Sequence, residues 1–478
     1  MRFRLIASTA VATAFGLLAI PASAASAGPG APGIGDPYYP TYGNGGYDVS
    51  HYALDLSYQP TTDTLSGTTV VTATATQGLT SFDLDFALDV SKVTVNGRPA
   101  RFASSGEQEL VVTPDRTIGK GHRLTVAVTY SGVPSKVQRY GFTSWMRTPD
   151  GGVAANEPES AWWWFPSNDH PADKATYDVN VRVPKGDQAI SNGVLVSQHT
   201  SGDWTGFHWV EDKPQATYLA TLAVGHFDIT RSRTGTGVPV VNAYSPDLDP
   251  ATAANAKASV ERTGEIVDFL SGYFGPYPFD SAGGYVPDVT AGFALETQTR
   301  VFYSPKFFTK GPDTSVVAHE LAHQWYGDSV SLERWSDIWL NEGFAGYAEW
   351  LWAEHEHTGT PQELAQQVYD AHPADDAFWT VKPGDPGAAN QFDDAVYDRG
   401  AVAIQALRDT IGDTAFLKLL KAWPTRHRYG NGTIAEFESL AEHLSGKDLS
   451  AFFTSWLYTA AKPAVFPAAP AASRSAAN

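Results

Sequence analysis

The 478-residue sequence has no cysteine and only 2 methionines. No disulfide can form, and neither a thiolate metal ligand nor a thiol nucleophile is available. Positive charge is also in short supply: 33 Lys and Arg stand against 52 Asp and Glu, a formal net charge of −19. An acidic surface of that kind disfavours nucleic acid and anionic membranes, so neither is an expected partner. Long apolar runs are missing after residue 24, so no later segment is expected to span a bilayer. Aromatic residues, by contrast, are plentiful, with 14 Trp in a chain that is 42% hydrophobic. That composition suits two or three globular domains with a sizeable core.

The first 24 residues read as a secretion signal. Arg2 and Arg4 precede an apolar stretch from Leu5 to Ile20, and Ala22-Ser23-Ala24 offers a small-residue cleavage site. The protein is therefore expected to be secreted and extracellular, with no stable membrane association. Residues 25–46, rich in Gly, Pro and Tyr, read as an extended lead-in. From Asp48 to about Phe227, within a domain expected over residues 47–236, the pattern alternates with period two, as in Tyr52-Ala53-Leu54-Asp55-Leu56-Ser57-Tyr58, with turn residues at short intervals. This predicts an antiparallel β domain.

Gly235 to Pro239 marks the expected boundary, and residues 237–463 change period. Ala251 to Phe274 reads as one long helix, and Ser281 to Tyr303 as one or two strands of a small sheet. Asp393-Asp394 caps a helix expected to run through Leu407. Thr433-Ile434-Ala435-Glu436 is a capping box, and Asp448 caps a last helix. Residues 464–478, mostly Ala, Pro and Ser, read as a disordered tail. The fold class is α+β and multidomain.

The chemistry concentrates in His319-Glu320-Leu321-Ala322-His323. Helical residues four apart share a face, so both imidazoles can chelate one ion while Glu320 stands beside its water. Val316, Val317 and Leu321 form an apolar stripe that packs this helix. A catalytic zinc takes three protein ligands. A downstream histidine is excluded, because Tyr326 and Ser329 occupy the positions it would take. Trp339-Leu340-Asn341-Glu342-Gly343-Phe344-Ala345 opens a second helix, and Glu342 can return to the ion as third ligand.

Both motifs and their spacing resemble the aminopeptidase N family of gluzincin zinc peptidases. The resemblance covers about Asp48 to Pro463 and is densest from Gly292 to Gly400. It implies a saddle-like N-terminal β domain followed by a mainly α, thermolysin-like catalytic domain holding one Zn2+. It implies Glu320 as general base and Tyr397, in Val396-Tyr397-Asp398-Arg399-Gly400, as oxyanion donor. Gly292-Phe293-Ala294-Leu295-Glu296-Thr297 resembles the family's amine-binding strand, with Glu296 the amine ligand and Phe293 and Ala294 lining the substrate. Phe293 replaces a glycine and Thr297 an asparagine, so the first pocket is expected to differ. Glu157, ahead of Trp164-Phe165-Pro166, takes the place of a second amine contact. Asp328 and Glu349 are candidates to orient the imidazoles.

The resemblance implies peptide substrates and aminopeptidase activity. A zinc endopeptidase, a related zinc hydrolase acting on a substrate such as an epoxide, and an inactive peptide-binding protein stay open as alternatives. The intact set His319, Glu320, His323, Glu342 and Tyr397 argues against the last. Many relatives continue into a β-sandwich and a helical domain that cover the site. Neither is legible here, so an open cleft walled on one side by the N-terminal domain is expected.

Overall fold

The computed structural model describes residues 27–139, 141–464 and 466. The expected signal at 1–24 lies outside these residues, as does the expected tail at 464–478 apart from residues 464 and 466.

The N-terminal half is built on an eight-stranded sheet. Its central strands are Tyr47–Gln59, Thr64–Ala75, Arg123–Gly132 and Ala175–Pro184. The alternation explains the sheet. Tyr52, Leu54, Leu56 and Tyr58 are buried on one face, and their intervening neighbours are more exposed. All but one of its pairings are antiparallel; Ala175–Pro184 lies parallel to Tyr47–Gln59 in the middle of the sheet. Trp162, Trp163 and Trp164 are fully buried, with Trp164 in this core and Trp163 ring-stacked on Phe142. They act as packing.

One edge of the sheet is strand Val194–Ser201, which among the described residues pairs only with Trp204–Gln215. A separate five-stranded sheet begins at strand Asp228–Arg233, which forms a hairpin with Pro239–Tyr244. The expected boundary at 236/237 thus falls inside a hairpin turn.

The C-terminal half is mainly helical: α1 (Pro250–Val260), α2 (Thr263–Phe274), α3 (Thr314–Ala322), α4 (Trp339–His355), α5 (Pro361–Ala371), α6 (Asp394–Ile411), α7 (Asp413–Arg426) and α8 (Ile434–Ser445). The single long helix expected over 251–274 is two. The Thr263 hydroxyl takes the Val260 carbonyl at 2.6 Å, and Arg262 leaves helical geometry with ψ near 2°. This local bond competes with the helical ladder and breaks it. The strand expectation over 281–303 resolves into Gly284–Val286, Ala294–Leu295 and Val301–Tyr303. The capping box at Thr433 forms with both of its bonds.

The lead-in does more than extend. Buried Asp36 accepts from the Trp335 backbone N–H at 2.8 Å and contacts His170 Nε2 at 3.0 Å. The Tyr39 hydroxyl donates to Gln391 at 2.7 Å. This segment therefore ties the β half to the helical half.

Candidate active site

Helix α3 starts at Asp313, whose carboxylate accepts from the backbone N–H of Ser315 and Val316. A capped start and a buried apolar stripe fix the helix, so His319 and His323 point their rings to one side, with centroids 5.0 Å apart. Helix α4 packs across α3 and brings Glu342 to them. Glu342 Oε2 lies 3.4 Å from His319 Nε2 and 3.5 Å from His323 Nε2.

These distances test the metal. Zinc bonds of about 2.0–2.1 Å in a tetrahedron separate neighbouring ligand atoms by about 3.3–3.4 Å. The imidazole–carboxylate separations match that edge, and the three donor atoms lie within 4.8 Å of one another. Two nitrogens and one carboxylate oxygen are a donor set suited to Zn2+ with a fourth position open.

The outward-facing ring nitrogens are also held, by different means. His319 Nδ1 lies 2.7 Å from Glu349 Oε1, and the Ser315 hydroxyl donates to the other Glu349 oxygen at 2.7 Å. Glu349 sits two turns after Glu342 on α4, so one helix supplies both ligand and orienting group. His323 Nδ1 lies 3.0 Å from the Tyr326 backbone carbonyl. Asp328, expected to orient an imidazole, makes no such bond. It is fully buried, and its two oxygens take no hydrogen bond among the described residues. The reason is the tight turn after α3, which places the nearer Tyr326 carbonyl at the ring. The buried Lys174 ammonium braces that turn from the β half, donating to the carbonyls of Asp328 and Ser329 at 2.6 and 3.1 Å.

Tyr397 reaches the site from α6, its ring lying over His319 at 6.0 Å. Its neighbours explain how. A Cβ on Gly400 would stand 3.2 Å from Gly343 Cα and 2.8 Å from Trp339 Cδ1, so α4 and α6 pack as closely as two glycines permit. Arg399, fully buried, spends its guanidinium on five backbone carbonyls, those of Trp379, Val381, Ser455, Trp456 and Thr459. Burial, reinforced by Glu342 and the other carboxylates, holds the Tyr397 hydroxyl well above its ordinary pKa.

A cavity of about 320 Å³ opens over these groups, lined also by Glu157, Phe293, Ala294 and Glu296. Glu296 follows strand Ala294–Leu295 and is buried, accepting from the Tyr218 hydroxyl at 2.9 Å. Glu157 comes from the β half, and its Oε1 has no hydrogen-bond partner among the described residues. Asn156 and Glu157 wall an adjoining cavity of about 250 Å³, together with Phe293, Leu295 and the half-exposed Phe392.

Every charged residue lining the cavity over the metal cluster is acidic or an imidazole. Taken alone, these groups strain against one another. Burial pushes Glu157 well above the carboxylate range, with Glu296, Glu342 and Glu320 adding to it. Burial raises Glu296 and lifts Glu320 to about 8, against the pull of the imidazoles. Burial also penalises the Glu342 carboxylate, but His323 and His319 outweigh it and hold Glu342 near 2. The cavity is a trap for positive charge.

Sequence reasoning placed the three ligand positions, Glu320, Glu296, Glu157, Phe293, Ala294, Tyr397 and Glu349 at one cleft, and the structure brings them together. It missed Ser315, Tyr218, Phe392, Lys174 and the Tyr326 carbonyl. The only signal for these was proximity in the fold.

A helical His-Glu-His pair, a carboxylate from the next helix and a β domain forming one wall define a zinc hydrolase of the two-histidine, one-glutamate class. Comparison with known proteins narrows this. Residues 259–456 match the peptidase family M1 domain, and residues 48–219 match the peptidase M1 N-terminal domain. The chain belongs to peptidase family M1.

It is similar to aminopeptidase N of Lactococcus lactis subsp. lactis, 32% identical over 333 residues, covering 63% of this chain and 38% of the relative. Endoplasmic reticulum aminopeptidase 1 of Homo sapiens is 29% identical over 418 residues, covering 80% of this chain and 44% of the relative. The chain spans less than half the length of these curated relatives. A solved M1 zinc metallopeptidase from Deinococcus radiodurans superposes with a TM-score of 0.82 at 29% identity, covering 92% of this chain and all of that one. A glutamate-to-alanine variant of that enzyme was solved bound to a Tyr-Ser-Ala substrate.

Proposed function

We propose that this chain is a secreted zinc aminopeptidase that releases N-terminal residues from peptides. The observation that carries the reading is the pair Glu157 and Glu296, converging beside the His319–His323–Glu342 cluster in one acidic cavity. A buried carboxylate pair with an unpartnered oxygen is stabilised by an incoming ammonium. A free peptide N-terminus supplies that charge one residue away from the bond at the metal. The tripeptide bound by the Deinococcus radiodurans variant is a ligand of this kind.

His319, His323 and Glu342 would hold the zinc, which when bound would supply a Lewis acid for the scissile carbonyl and a more acidic water. Glu320, next to the first ligand and not part of the ligand set, takes the water's proton and passes it to the leaving amine. The Tyr397 hydroxyl, kept protonated by burial, donates to the oxyanion as it develops. Glu349 and the Tyr326 carbonyl hold each imidazole with Nε2 inward. The adjoining cavity is faced by Phe293, Leu295 and Phe392. It suits apolar N-terminal side chains and offers no cation for an acidic one.

The test compares matched peptides with free and N-acetylated termini, using wild type and Glu320→Ala. Cleavage of free termini alone, lost in the variant, supports the reading. Equal cleavage of acetylated peptides would overturn it in favour of an endopeptidase. Export rests on the pattern of residues 1–24 and is checked by sequencing the N-terminus of protein recovered from the culture medium.

A further inference from the structure

The larger of the cavities described lies elsewhere. It encloses about 510 Å³ between strand Val194–Ser201, the edge of the eight-stranded sheet, and strand Asp228–Arg233, the edge of the five-stranded one. Leu195, Phe207, Trp209 and Ile229 form apolar walls. Its only charged lining residues are Arg231 and Arg300.

Arg300 is 1% exposed. Its two Nη atoms donate to the carbonyls of Val241, Ala282 and Gly193 at 2.8, 2.9 and 3.0 Å and approach the Ser281 hydroxyl at 3.3 Å. The guanidinium lies 5.6 Å from the Trp209 ring centroid. Its Nε is buried without a hydrogen-bond partner, and no carboxylate among the described residues forms an ion pair with it. Arg231, on the rim, is exposed and forms no ion pair among the described residues. With all four Nη hydrogens directed at protein oxygens, the buried Nε–H is the donor left open, and it can serve one oxygen of a carboxylate. In a chain of net charge −19, an anion-free cavity with two arginines is a deliberate exception.

We propose that this cavity is a second ligand site, binding a monocarboxylate with an aromatic or branched aliphatic body. Its carboxylate sits between Arg300 and Arg231, and its body lies against Trp209, Phe207 and Ile229. Two sources carry that chemistry: a free acid, and the C-terminal residue of a peptide.

The test is calorimetric titration of the zinc-loaded enzyme, with the acidic cleft blocked by an amino-acid hydroxamate. The probes are N-acetyl-L-phenylalanine and its amide, and a phenylalanine-terminated, N-acetylated peptide with free or amidated C-terminus. Either carboxylate probe is expected to bind at least about tenfold more tightly than its amide. The probe that binds identifies the source. Arg231→Gln, which removes the rim charge, and Ile229→Trp, which fills the cavity, are each expected to weaken binding by about tenfold while peptide turnover is unchanged. No binding, equal binding of acid and amide, competition with the hydroxamate, or binding unaffected by both variants would each overturn the proposal.

Discussion

The two cavities invert each other. The cleft over His319 is lined by six carboxylates and no lysine or arginine; the one over Arg300 is lined by two arginines and no carboxylate. Both are partly apolar, and both lie where the β half meets the helical half. The difference teaches that shape does little to sort ligands in this molecule. At these two cavities the sign of the lining charge does: a carboxylate or guanidinium with an open polar atom facing the cavity favours a ligand of opposite charge. On the readings proposed above, a metal and a peptide ammonium would compensate the acidic cleft, and a carboxylate the basic one.

The contrast breaks most severely if Glu320 is removed. Glu320→Gln is expected to cut kcat by about 10³-fold or more while one zinc stays bound, measured by peptide turnover and metal analysis. Substantial turnover in that variant would assign the proton transfer to another group. Next come the amine-facing carboxylates. Glu296→Gln and Glu157→Gln keep the shape but remove a charged hydrogen bond. The preference for free over acetylated termini is expected to narrow by roughly 10- to 150-fold, with most of the loss in kcat/KM. An unchanged preference would show that neither carboxylate reads the ammonium.

Smaller effects probe the support of the metal. Glu349→Ala frees His319 Nδ1 and is expected to weaken zinc binding by about 10- to 100-fold, read by competition with a chelator. An unaltered affinity would make Glu349 a packing residue. The smallest expected effect lies away from both cavities, in the β half. Burial, with Asp85 and Asp83 adding to it, raises Glu109; burial and Asp169 raise Asp85 against its hydrogen bonds. The native state therefore holds protons that the unfolded chain releases in the ordinary carboxylate range. That stability is full below the ordinary range and is lost as the pH rises through the elevated native values. Melting temperature is expected to fall from mildly acidic to alkaline pH, and Glu109→Gln to flatten the fall. A variant with the same slope would discount Glu109.

The metal centre was legible in sequence because its logic is local. Two histidines four apart on a capped helix, and a carboxylate at the head of the next helix, leave little freedom. The alternation of Tyr52 to Tyr58 announced the sheet for the same reason. What stayed hidden depends on distance in the chain. Tyr218 meets Glu296 across 78 positions, and Lys174 meets the turn at Asp328 across 154. Neither residue type is rare enough to stand out. The division of the helix at Arg262 turned on one threonine hydroxyl, which propensity and periodicity do not weigh. The lead-in looked featureless because glycine, proline and tyrosine carry no period. Its role comes from Asp36 finding a backbone N–H 299 positions away.

The carbonyl behind His323 has a consequence for anyone who scans this protein by substitution. It belongs to the backbone of Tyr326, so no side-chain replacement deletes it, and an alanine scan will score Tyr326 for its ring alone. The neighbour that exposes it is Gly327, whose φ of +137° disfavours other residues. A methyl group there would stand 3.3 Å from both His323 Nδ1 and Asn341 Nδ2. A glycine with no functional group of its own will therefore register in such a map as though it were part of the metal site.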